Sequence, residues 1–515
     1  MSFDDIGLVI TAGWRYDWYT SNDVPRLNNN FVARNGYANT ETFDGRGLIQ
    51  PRFGFDWAAT DNLRIIGGGG LFSGGNPNVW LSNSYQNDSV STVQTSQFDV
   101  LLSSLTFVDD EGGAGRPFYG VPQNLVNTVS SGAAANGGVN AVDPNFRIPA
   151  QWKAALGAVY DFGADYRLQL DFLYTKDRDA AAIVDATLEQ IDTAPDGRPI
   201  YKSIDRSDPD CAINAASSLC GNRRFNSDYI LTNNDGGSQK VFSAALSKDY
   251  DWGRTRADWT LAYAYTDAKD RNPMTSSVAF SNFANFTTTD PNNPSLANSN
   301  YEVPHRFTLR AGISHQFFGE YETKMNLFGV VSQSRPYSFV FGDSGDLFGD
   351  TVDRRHLLYV PTGPSDPNVI FAPGFDTTAF FNVINGLGLD EFAGGVAPRN
   401  GFQSDWYSQW DLRLEQEIPG PFGESRGAMF VIIDNVGNLI NDEWGVINQA
   451  GFPGAVEVAN VNEAAGCALC APGSALGPNG EYIFTGFNNV TPDSIQAPIT
   501  NASVWEIRFG VRFSF

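Results

Sequence analysis

No run of about 18 apolar residues occurs anywhere in the 515 residues, so no helix of this chain is long and greasy enough to cross a bilayer. Histidine is almost absent. His305, His315 and His356 are scattered, and neither a Ser-His-Asp arrangement nor zinc-ligand spacing presents itself, so neither an enzyme nor a cofactor is expected. Cations are in deficit: 34 Lys and Arg face 58 Asp and Glu, giving a net charge of -24. Phosphate backbones need a basic surface, which excludes nucleic acid as a partner. The first twenty residues, "MSFDDIGLVITAGWRYDWYT", have no basic region and no small-residue cleavage site, so they do not read as a secretory signal.

What is present is alternation. At the C-terminus, Trp505, Ile507, Phe509, Val511, Phe513 and Phe515 share one parity, against Glu506, Arg508, Gly510, Arg512 and Ser514. Successive strand side chains point to opposite faces, so the segment has one greasy and one wet side. The same signature predicts about twelve strands, near 6–19, 50–59, 62–72, 150–162, 165–177, 238–250, 254–267, 301–318, 321–335, 404–418, 426–437 and 503–515. In "RGAMFVIIDNVGN" both parities are apolar, and the facing is ambiguous.

Five connections are short: 60–62, 163–165, 251–254, 319–320 and 419–426. Six are long: 20–49, 73–149, 178–237, 268–300, 336–403 and 438–502. Short and long alternate without exception. A sandwich has no reason to gather every long loop at one end, whereas a transmembrane antiparallel β-barrel has short periplasmic turns and long extracellular loops. Strands of this length also suit a tilted bilayer crossing. Trp14, Trp18, Trp259, Tyr263, Trp406, Trp410 and Trp505 lie on greasy parities near expected interfaces, where a ring can sit in acyl chains with its polar atom among headgroups.

Several stretches resemble the barrel of Oar-like TonB-dependent receptors: "LIQPRFGFDW", "GGGGLFSGGNPNVWLSNSY", "YEVPHRFTLRAG", "WDLRLEQEIPG" and "FVIIDNVGNLINDEWG". The resemblance runs from about Gly7 to Phe515, and the terminal "FGVRFSF" resembles an outer-membrane assembly signal ending on Phe515. It implies one barrel domain over 1–515 and a role in energised transport across the outer membrane of a Gram-negative bacterium. Its implied partners are outer-membrane lipid and lipopolysaccharide, the barrel-assembly machinery and an unspecified transported ligand. Receptors of this kind have a signal peptide, TonB box, plug and roughly 22 strands. The sequence shows none of the first three, so the expectation is a C-terminal part, with about ten strands missing and TonB reached only through an N-terminal part not present here. The alternatives are a passive porin of about twelve strands and a soluble β-rich binding protein.

In an oxidising compartment the four cysteines, Cys211 with Cys220 and Cys467 with Cys470, read as two loop-stapling disulfides. The spacing of "CALC" leaves a redox or metal site as the rival. "FGDSGDLFGD" places Asp343, Asp346 and Asp350 in a Gly-rich loop, an oxygen-rich calcium candidate without EF-hand spacing, for which a solvated acidic loop is the stronger reading. The glycine run at 67–70 lacks the Lys-Ser/Thr of a phosphate loop and reads as strand glycine permitting close backbone approach.

Overall fold

Alternation becomes twelve long strands of one sheet: β1 (Leu8–Trp18), β2 (Gly47–Thr60), β3 (Leu63–Ser73), β4 (Ala150–Gly163), β5 (Tyr166–Arg178), β6 (Ser238–Asp251), β7 (Thr255–Asp270), β8 (His305–Phe318), β9 (Tyr321–Gln333), β10 (Trp406–Pro419), β11 (Arg426–Asp434) and β12 (Glu506–Ser514). The computed structural model describes residues 1–73, 77–92, 107–108, 121–132, 137–203, 227–342, 347–350, 352–420, 422 and 425–514. Each long strand pairs antiparallel with its neighbours in sequence, and short strands at Ser2–Phe3 and Ala297–Asn298 extend the sheet to 14 strands. The result is an up-and-down meander. All five short turns therefore fall at one end and all six long connections at the other. Between β4 and β5, Ala164 and Asp165 both take positive φ (49° and 61°), the left-handed geometry that matches strand twist in a tight hairpin. Among the described residues β1 and β12 do not pair, and the sheet does not close into a barrel.

Register carries the two faces around the wall without a break. Trp259 lies opposite Ala311, then Leu327, Leu412, Ile433 and Ile507 in successive strands. One step along, Asp258 lies opposite Gly312, Asn326, Arg413, Ile432 and Arg508. Register also resolves β11. Met429, Val431 and Ile433 join the greasy face, while Phe430 joins the polar one, with the Arg413 guanidinium 4.6 Å from its ring centre.

The glycines of the wall make room for rings and backbone. A Cβ on Gly329 would enter the Trp410 ring opposite it, and one on Gly510 the Phe430 ring. In the 67–70 run, a Cβ on Gly68 would lie 2.6 Å from the Phe53 carbonyl oxygen and one on Gly70 2.5 Å from that of Pro51. Those glycines permit close backbone approach, as the sequence suggests.

The apolar core lies elsewhere. Among the fully buried apolar side chains, only Leu71, Ala150, Val330 and Ala428 belong to wall strands. The rest come from the long connections, which fold on one another. In one unit, Val369–Phe371, Tyr482–Phe487, Ala455–Val461, Pro336–Gly342 and Phe402–Gln403 form a five-stranded sheet, covered by a helix at Thr377–Gly386. Phe371, Phe375, Phe380, Phe484 and Phe487 pack ring on ring there. In another, Ala180–Asp185, Tyr229–Asn234 and Asn140–Val142 form a three-stranded sheet against Phe43, Phe146 and Phe283.

Candidate functional site

Two surfaces are built to meet something: the greasy face of the wall and the layer of folded loops above it. Large apolar side chains on that face stand uncovered, as at Trp14 (74% exposed) and Phe509 (79% exposed). Trp505, Val511 and Phe513 are exposed beside them, and no second sheet covers the stripe among the described residues. A soluble sandwich would bury this face in a dry core. At tens of cal/mol per Å2 of apolar surface, a stripe this long would be untenable in water.

The aromatics expected at the membrane interfaces lie toward both ends of the wall, Trp410 excepted. Trp14 and Trp18 lie toward the loop end of β1, and Trp406 opens β10 there. Tyr263 donates to or accepts from Nδ1 of His305 across 2.8 Å, and the His305 ring stacks on Trp406. Trp259 sits near the turn end, edge-on to Tyr166. Trp410 is half-buried within the wall, its ring over Gly329.

On the polar face, charges form cross-strand ladders: Asp161 with Arg167 (2.8 Å), Asp258 with Arg310 (3.7 Å), Lys324 with Glu417 (2.7 Å) and Arg512 with Glu415 (3.4 Å). Toward the short turns this face holds a cavity of 510 Å³ bounded by Asp249, Asp251, Arg256, Asp258, Glu322 and Lys324.

The loop layer is tied together by residues that sequence reasoning passed over. Arg34 of the first long connection forms a bidentate pair with Asp228 of the third (both bonds 2.9 Å), and the side chains are 2% and 1% exposed. Asp228 also accepts from the Val139 amide of the second connection. In "NPNVWLSNSY", the Trp80 indole donates to the Ser276 carbonyl and Asn83 holds Ser277 and Ala279 of the fourth. In "DNVGNLIND", the Asn435 amide donates to the carbonyls of Gly445 and Ser503, fixing the sixth connection to the end of β11. For Trp80, Asn83 and Asn435 the signal in the sequence was the motif itself, whereas Arg34 and Asp228 lie in no such stretch.

Asp350 is fully buried, not solvated. Its carboxylate accepts from Arg355 and His356. Burial alone would raise that carboxyl, yet the Arg355 guanidinium and the hydrogen bonds from Arg355 and His356 hold it well below the usual range. Burial lowers His356 against the opposing pull of Asp350. Asp343 and Asp346 lie outside the described residues. No cluster of three metal-binding side chains occurs among the described residues. Cys467 and Cys470 are joined by a disulfide in the sixth connection. Cys211, Cys220 and Phe515 lie outside the described residues.

A family model for the outer membrane beta barrel domain matches residues 7–430. The chain belongs to this outer-membrane β-barrel family. No curated protein matches it. Among solved structures it is similar to the outer membrane transporter YddB from Escherichia coli, at 12% identity over 76% of this chain and 37% of that one, with a TM-score of 0.40. The FrpB iron transporter from Neisseria meningitidis follows, at 11% identity, 84% and 39% coverage and a TM-score of 0.34. The ferric enterobactin receptor PfeA gives 10% identity, 75% and 37% coverage and a TM-score of 0.29. The chain thus spans less than two fifths of the length of these transporters. As a member of the family, this barrel wall resides in the Gram-negative outer membrane, with its greasy face toward lipid and its ion-paired face toward the lumen.

Proposed function

We propose that the chain forms part of the wall and the outer loop layer of an energised outer-membrane transporter of the TonB-dependent kind. In this reading an external ligand first meets the loop layer, and TonB acts through a part N-terminal to this sequence. The observation that carries the proposal is the loop layer itself. Six long connections fold on one another around shared apolar cores and a buried Arg34–Asp228 pair, a body much larger than the rim of a simple pore requires. The similar structures are those of an outer membrane transporter, an iron transporter and a ferric enterobactin receptor. The competing reading is a passive porin. Planar-bilayer recordings on protein extracted from its native membrane separate the two. A receptor gives no steady conductance, whereas a stable, ohmic open channel would establish the porin.

A further inference from the structure

The sequence contains only seven lysines: 153, 176, 202, 240, 248, 269 and 324. Three of them, Lys176, Lys240 and Lys269, meet at one place on the lipid-side face, at the loop ends of β5, β6 and β7. Ser238 pairs with Lys176 on one side and with Lys269 on the other, and Lys240 follows two residues along the same face of β6. Lys240 and Lys269 are exposed and Lys176 is half-buried. Arg178 extends the row by one more step on β5 and shares Asp179 with Arg147, at 3.3 Å and 3.5 Å. The acids here are Asp179, Asp267 at 3.8 Å from Lys240, and Glu302, which accepts from the Ala268 amide.

Depth is marked by the same strand. On its lipid-side parity β6 reads Lys240, Phe242, Ala244, Leu246, Lys248, a greasy run bracketed by lysines. Lys248 is at the turn end, its ammonium 4.8 Å from the ring centres of both Tyr166 and Tyr250. Eight residues at about 3.3 Å each, tilted by about 40°, climb roughly 20 Å. Lys240 therefore sits at the opposite edge of the hydrocarbon band. Trp152 lies opposite Lys176 and Tyr174 opposite Lys240, with Phe172, Phe242 and Tyr265 one step below, so the ammonium groups stand where headgroups meet a ring belt. Elsewhere the corresponding loop-end positions carry Trp18, His305, Gln333 and Trp406.

We propose that Lys176, Lys240 and Lys269 form a docking site for a phosphate-bearing lipid headgroup of the outer leaflet, of the bisphosphorylated lipid A type. An ammonium on this face must escape hydrocarbon, and a phosphate at headgroup depth offers a fixed opposite charge, while acyl chains lie on the rings below. The inference rests on the outer-membrane placement of the wall. The test uses the protein extracted from its own outer membrane, reconstituted into phosphatidylcholine nanodiscs doped with bisphosphorylated lipid A, with lipid A stripped of phosphate, or with phosphatidylglycerol. Bound lipid is counted by native mass spectrometry. Lipid A is expected to be retained, and the combined variant Lys176→Gln/Lys240→Gln/Lys269→Gln to weaken retention about a hundredfold. Asp267→Asn, which removes one acid from the patch and keeps the side chain's size and all three lysines, is expected to strengthen it severalfold, and serves if the combined variant fails to fold. Equal retention of dephosphorylated lipid A or phosphatidylglycerol would overturn the proposal, as would unchanged retention in either variant. Failure of the wild-type protein to enter nanodiscs at all would count instead against the membrane placement.

Discussion

Arg34 and Asp228 come from connections almost two hundred residues apart, and both are out of water. Removing one partner of such a pair leaves a buried, uncompensated charge, at a cost of about 3–5 kcal/mol. Arg34→Met is accordingly expected to loosen the contacts among the first three connections, seen as a loss of hydrogen-exchange protection over Asn140–Val142 and Tyr229–Asn234, while the wall stays protected. A second residue sets a pH dependence. Burial pushes the Asp185 carboxyl up to about 6, against an ordinary 3.8, even though the Thr187 amide and hydroxyl donate to it. The folded state thus holds a proton that the unfolded state has released between those two values. Stability from this group is full below the lower value, falls as pH rises through about 6, and is gone above it. Protection of the Ala180–Asp185 strand should therefore decline between about pH 4 and pH 6, and Asp185→Asn should flatten that profile; a profile unchanged by the substitution would refute the assignment.

Alternation makes a strong claim at the level of a single strand. In β12, Phe509 and Val511 face lipid while Arg508 and Arg512 face the lumen side, where Arg512 reaches Glu415. In membrane-embedded protein, Phe509→Cys and Val511→Cys are expected to resist water-soluble maleimides, and Arg508→Cys to react; the opposite pattern would invert the wall. The sixth connection carries its own check. Cys467 and Cys470 are bonded, and the Cys470 amide also donates to the Cys467 carbonyl, so a tight turn and the covalent bridge reinforce each other. Mass spectrometry without reductant should find this pair oxidised, and Cys211 with Cys220 as well.

For the molecule as a whole, the two free edges matter most. An unpaired strand edge exposes rows of N–H and C=O groups, each costing several kcal/mol in hydrocarbon. β1 and β12 run antiparallel in the meander but do not pair among the described residues. We expect this sequence, expressed by itself, not to yield the heat-modifiable, protease-resistant band typical of a closed barrel. A sharp heat-modifiable shift from this sequence alone would favour the twelve-stranded pore. The resemblance to longer receptors and the unclosed sheet motivate the expectation independently of each other.

Strand positions, the two faces and the alternation of short turns with long connections could be read from the sequence because each depends on neighbours one or two residues apart. Parity places a side chain on a face, and a turn of a few residues forces the next strand to return. The glycine run was legible for the same reason. Other features depended on residues far apart in the chain. Phe430 could have faced either way until pairing with Gly510 and the nearby Arg413 put it on the polar side. Asp350 looked like a solvated acid until Arg355 and His356 enclosed it. The loop sheets, the Arg34–Asp228 pair and the lysine cluster on three strands are non-local, and no period within one segment encodes them. The sequence determined a wall with a greasy and a wet side; the tertiary structure decided how the long connections bury a core of their own and where separated charges come together, because those contacts exist only once the strands are in register.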